Sequence, residues 1–157
     1  MTDQGRVTDQ CRVADQGRVA DQGRSGAGAD AQSRRQTRYA GKRPLPFARF
    51  GYLYATAVGF TWGALLSTGK IERRDGLWIF RGMPRWAFGR GGSCVGSCYL
   101  TDQNASAPVI RHELVHREQW RHYGLALPIL YFFAGRDPLK NRFEIEAGLK
   151  DGGYVKR

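Results

Sequence analysis

Four copies of a six-residue unit, [TA]-D-Q-[GC]-R-V with Ser25 closing the last, start at Thr2, Thr8, Ala14 and Ala20. Each copy brings one Asp and one Arg, and Val7, Val13 and Val19 are the only sizeable hydrophobes. Such a segment cannot bury enough apolar surface to offset the entropy of ordering it. A hexapeptide β-helix has a short period too, but needs more apolar positions per turn. Residues 25–45 continue in Gly, Ala, Ser, Gln and Arg. Residues 1–45 therefore read as a disordered repetitive tail without the apolar run of a secretory signal. Any fold must be built from residues 46–157.

The net charge is +11, of which nine basic and five acidic residues place +4 in the tail and leave +7 for the domain. That balance permits an anionic membrane or nucleic acid as partner. The Arg85-Trp86 and Trp120-Arg121 pairs carry no nucleic-acid-binding motif and read as packing, so nucleic acid is not an expected partner. Three Cys cannot make a disulfide framework, and the chain reads as reduced and cytoplasmic.

Residues 50–69 contain no charge and are flanked by Lys and Arg on both sides. Their length matches a bilayer span, but Gly, Thr and Ser interrupt the apolar run. A buried or surface-docked helix is expected, with membrane contact through 50–69 as the second reading. Asp75-Gly76 predicts a hairpin between KIERR and LWIFRG. Residues 82–93 read as a loop, and Cys94 to Leu100 as one short strand. Three helices follow. Ser106 caps the first, which tolerates Pro108 and stops at Gly124. The second covers about 125–134. Asp137 caps the third, with Leu139, Phe143 and Ala147 as its buried stripe and Gly152-Gly153 as its end. The fold class is α+β: a short antiparallel hairpin or sheet followed by three helices, the first of which carries His112, Glu113 and His116.

His112-Glu113-Leu114-Val115-His116 is H-E-x-x-H. Helical positions i and i+4 are about 40° apart in rotation and one turn in rise, so both imidazoles can hold one ion. Zn²⁺ suits His nitrogen. Glu113, about 100° round the helix from His112, can act as general base toward a water that the metal acidifies. The residues Ile110, Leu114 and Val115 suit a helix running through a core. A catalytic zinc needs a third protein ligand. His122 gives the ligand spacing of metzincins, but Gln119 stands where that family has a turn-permitting Gly. Glu144 and Glu146 lie on the third helix.

Over about residues 107–150 the chain resembles small gluzincin-type zinc metallopeptidase-like proteins, which follow H-E-x-x-H with E-x-x-A, here Glu144 to Ala147. The resemblance implies one zinc ion held by His112, His116 and Glu144, with Glu113 catalytic and a peptide or protein substrate. The small Ala147 would let its helix approach the zinc helix. Several such families place an Asp after the Ala to support a His ligand; this chain has Gly148. Two other readings stand beside this one. One is a non-catalytic zinc-binding or structural domain. The other is a thiolate metal (iron–sulfur) or redox protein built on Cys94 and Cys98, which would lie about 13 Å apart in a continuous strand.

Overall fold

The structure, a computed structural model, describes residue 39, residues 41–89 and residues 91–155. The repeats, and the expectation of disorder for them, lie outside the described residues. Tyr39, at the edge of that expectation, is buried and donates its hydroxyl to Glu146 Oε2 at 2.5 Å.

In chain order the elements are α1 (Ala48–Leu66), β1 (Ile71–Arg74), β2 (Leu77–Phe80), a 3₁₀ turn (Arg85–Ala87), β3 (Ser93–Val95), β4 (Cys98–Leu100), α2 (Ala107–Tyr123), α3 (Ala126–Phe133) and α4 (Arg142–Ala147). The architecture is α+β, with a four-stranded sheet in the order β1-β2-β4-β3. Asp75 and Gly76 both take positive φ, 49° and 80°, as the two-residue hairpin turn between β1 and β2 requires. Arg74 pairs with Leu77 across it.

Two expectations are corrected here. Cys94 to Leu100 is not one strand, because Gly96 adopts φ 61° and the chain reverses at Gly96-Ser97 into a β3–β4 hairpin. The sheet is also mixed rather than antiparallel. The crossover after β2 brings β4 back beside it in parallel, with Ile79 opposite Tyr99.

The sheet's two faces make two cores. Leu77, Ile79 and Tyr99 point to one side, where Val109, Ile110 and Leu114 of α2 cover them. Phe80, Cys98 and Leu100 point to the other and meet Leu66 of α1. Helix α1 reaches that face by presenting its smallest residues. A Cβ on Gly63 would lie 2.5 Å from the Phe80 ring, and one on Gly59 would lie 2.9 Å from the Val95 carbonyl oxygen. At the helix's start, a Cβ on Gly51 would lie 2.5 Å from the Leu125 backbone nitrogen.

Helix α2 runs over the predicted range and ends at Gly124, which takes φ 55°. Ser106 is its N-cap residue, although its side chain makes no capping hydrogen bond. Helix α4 differs from expectation at both ends. Asp137 Oδ1 accepts from Leu139 N at 3.0 Å and caps only a turn. Asn141 is the helix cap, its Oδ1 accepting from Phe143 N at 3.0 Å. Gly148, at φ 101°, ends the helix before Gly152-Gly153. Leu139 is consequently exposed, while Phe143 and Ala147 are buried.

No helix among the described residues is long and apolar enough to cross a membrane. Gly51→Val should lower stability by about 1–3 kcal/mol, because the clash is with backbone that cannot move aside. Ala57→Val, at an exposed position of the same helix, should change it by less than about 0.5 kcal/mol. Urea denaturation of both variants checks this, and equal losses would contradict the close α1 contact.

Candidate metal centre

The i, i+4 spacing on α2 sets the His112 and His116 rings edge to face, their centroids 4.6 Å apart and their planes at 83°. Their Nε2 atoms approach to 3.0 Å. Glu144 Oε2, from α4, lies 3.1 Å from His112 Nε2 and 3.6 Å from His116 Nε2. Ligand atoms of these three residues all fall within 4.8 Å of one another, so the group could hold a metal ion.

The surroundings decide which ring nitrogens face that point. His112 Nδ1 lies 3.2 Å from the Gly148 carbonyl oxygen, an acceptor only. His116 Nδ1 lies 2.7 Å from Gln119 Oε1. The Gln119 amide is oriented because its Nε2 donates to the Phe143 carbonyl at 3.0 Å and to Glu146 Oε2 at 3.3 Å. Both Nδ1 atoms therefore carry hydrogen. In neutral rings the Nε2 lone pairs then face each other and the carboxylate. Glu144 Oε2 is buried and has no hydrogen-bond partner, despite its 3.1 Å approach to His112 Nε2. A distance without a donor hydrogen is not a hydrogen bond. Three electron-rich atoms at such range are relieved by positive charge between them, which a proton on His116 supplies in the metal-free protein and a bound metal ion could supply instead. Two imidazoles and a carboxylate form a donor set that suits a divalent transition ion.

Glu144 Oε1 is held separately by the Tyr131 hydroxyl of α3. Burial pushes the Glu144 carboxyl up, but in the metal-free protein the facing imidazoles, which can donate from Nε2 once protonated, and the Tyr131 hydroxyl outweigh it and leave it well below the usual carboxylate range. Glu113 is shifted the other way. Burial raises it, the nearby His116 and His112 oppose the rise, and the Glu144 charge adds to it. The two carboxylates thus divide: one is held ionised, the other is biased toward accepting a proton.

Both open into a cavity of about 540 Å³. Ser93 and Cys94 of β3 line one side, and Leu127, Pro128, Tyr131 and Phe132 line another, with Tyr154 near His112.

The other sequence candidates are elsewhere. His122 packs on Tyr39, ring centroids 5.1 Å apart, outside the metal group. Glu146 accepts from Tyr39 and Gln119 and is no ligand. Cys94 and Cys98 sit on adjacent strands, both free. The Cys94 sulfur faces the Glu113 carbonyl at 3.7 Å and the Cys98 sulfur the Thr56 carbonyl at 3.5 Å. Burial pushes both thiols up, Cys98 to about 12.

Three supporting residues carry no sequence signal of their role. Gln119 is known only as the residue replacing a metzincin Gly, and Tyr131 only as one aromatic in an apolar helix. Gly152 reads as a helix end, yet a Cβ there would lie 2.7 Å from His112 Cε1. Gly148 is different: it reads only as a departure from the expected Asp, yet its backbone carbonyl lies 3.2 Å from His112 Nδ1.

No protein-family model, curated protein or solved structure matches this chain.

Metal analysis should find one divalent ion per chain, lost in His116→Ala and Glu144→Ala and retained in His122→Ala. Gln119→Ala should weaken binding about 10–100-fold, the usual effect of losing a partner that orients a metal-binding His. Full occupancy in Glu144→Ala would contradict the three-residue group. In the metal-free protein, burial pulls His116 down, but the Glu144 hydrogen bond and the Glu113 charge outweigh it and push it up to about 9 from 6.5. The folded chain then holds a proton that the unfolded chain releases. That contribution to stability is fully present below pH 6.5 and is lost as pH rises through about 9. Thermal unfolding of chelator-treated protein should show a midpoint falling across this window, and a flat profile would contradict it.

Proposed function

We propose that this chain is a zinc-dependent metallopeptidase that hydrolyses peptide bonds. The observation that carries the reading is the placement of buried Glu113 in the same cavity as the converging His112, His116 and Glu144. Zinc bound by those three residues would supply Lewis-acid polarisation of the scissile carbonyl and a more acidic water.

The chain's own residues do the rest. Glu113 takes a proton from the attacking water, since burial keeps its carboxylate a better base than an exposed one. It returns that proton to the amine nitrogen as the C–N bond breaks. Glu144 stays ionised, and Tyr131 fixes its orientation. Leu127, Pro128 and Phe132 offer an apolar wall for a substrate side chain beside the scissile bond. The gluzincin-like E-x-x-A spacing supports the same assignment.

Glu113→Gln keeps the shape of the site and removes the base. Zinc-loaded wild type should cleave a fluorogenic peptide library, with Glu113→Gln slower by at least about 10²-fold at equal zinc content. Equal hydrolysis in both proteins would overturn the role of Glu113. No hydrolysis in either would favour a zinc-binding domain without catalysis.

A further inference from the structure

Helix α1 is packed inside out. Its buried residues are Ala48, Gly51, Ala55, Gly59 and Gly63, all Gly or Ala, while Tyr52 and Leu66 are only partly buried. Phe50, Leu53, Val58 and Leu65 instead stand 47–76% exposed. A surface helix of a globular protein normally turns its large apolar residues inward. Helix α3 repeats the pattern. Leu127 is its one buried residue, while Ile129 and Phe133, which do not line the metal-site cavity, are 60% and 80% exposed. The two helices are neighbours, since Gly51 abuts Leu125 and Ala55 shares a core cluster with Leu127. An apolar surface spread over two adjacent helices marks an interaction site.

The charges beside this surface select the occupant. Among described residues 41–71 there is no acidic residue and there are four basic ones, Lys42, Arg43, Arg49 and Lys70. Near the start of α1, a cavity of about 620 Å³ brings Lys42, Arg49, Arg121 and His122 to the same rim as exposed Leu53. Glu118, the acidic residue lining it, already holds Arg117 at 2.9 Å and Arg121 at 3.5 Å. Neither Lys42 nor Arg49 has an ion-pair partner among the described residues. A second copy of the chain on this face would set cation against cation. An occupant that is apolar within and anionic at its border fits both features. Trp62 and Trp86, ring centroids 5.9 Å apart at the far end of α1, are suited to the same boundary.

We propose that the outer face of α1 and α3 docks in the headgroup region of an anionic lipid bilayer, with Lys42 and Arg49 against lipid phosphate. The helix lies in the interface plane, its Gly and Ala face on the sheet and its large apolar residues toward lipid, and does not cross. This docking is independent of the metal centre.

Flotation of the full chain tests it, using vesicles of phosphatidylcholine alone and vesicles with about one third phosphatidylglycerol. The protein should float with the anionic vesicles only, with Trp emission shifting to the blue. Lys42→Ala and Arg49→Ala should each weaken binding about fivefold. The double variant Leu53→Glu with Leu65→Glu should weaken it at least about tenfold, with circular dichroism and metal content unchanged. Failure to float would overturn the proposal. So would binding undiminished in these variants, which would assign it to the Arg-containing tail. A dimer that Leu65→Glu converts to monomer would also overturn it, by showing that a second copy covers the face.

Discussion

Two imidazole nitrogens and a carboxylate oxygen, each presenting a lone pair, meet within a few ångströms on the buried side of α2. Without positive charge between them they repel, and burial strengthens that repulsion. The neighbouring structure is arranged to hold them there nonetheless. The Gly148 carbonyl and the Gln119 amide oxygen take the outer ring hydrogens, so neither imidazole can turn its lone pair away. Gln119 also bonds to the Phe143 carbonyl and so ties α4, which carries Glu144, to the His-bearing helix. Asn141 caps α4 and donates to the Tyr131 and Gly135 carbonyls, which fixes α4 against the end of α3. Tyr131 then closes on Glu144 from that side. A group so constrained gains from positive charge among its lone pairs and could hold a metal ion.

The glycine-rich face of α1 imposes a second constraint. A helix that approaches Phe80, Val95 and Leu125 through glycines brings backbone close to backbone. The sheet is thereby held between α1 and α2. The cost is that few of α1's large side chains can turn inward: Leu66, Tyr52 and the edge of Phe60 reach the core, while Phe50, Leu53, Val58 and Leu65 stay outside. One packing choice thus builds the scaffold and leaves an exposed apolar surface.

Much of this was legible from residue pattern. The caps at Ser106 and Gly124 bound α2 because backbone conformation at helix ends is a local property. The Asp75-Gly76 turn was equally local, since few residues tolerate two successive positive φ angles. Errors arose where two local signals competed or where the answer was tertiary. Asp137 and Asn141 are both capping residues, and Asp137 satisfies a nearer turn, which leaves Asn141 to start α4. Cys94 to Leu100 reads as one strand from its pattern, but Gly96 reverses the chain, and the parallel β2–β4 pairing is a tertiary contact that no local signal carries. Which face of α1 is buried could not be read from an uncharged sequence, because small and large residues are both apolar there. At the metal centre, H-E-x-x-H was legible from spacing. Glu144 could be chosen over Glu146 and His122 only through resemblance. The partners Gln119, Tyr131 and Gly148 emerge only when three helices and a turn are brought together.

X-ray absorption at the zinc edge of the loaded full-length protein probes the centre most directly. Two imidazole nitrogens and a carboxylate oxygen, all at about 2.0–2.2 Å with no sulfur neighbour, are the predicted environment. A sulfur shell at about 2.3 Å would place Cys94 or another thiol on the metal and contradict the His112, His116 and Glu144 assignment.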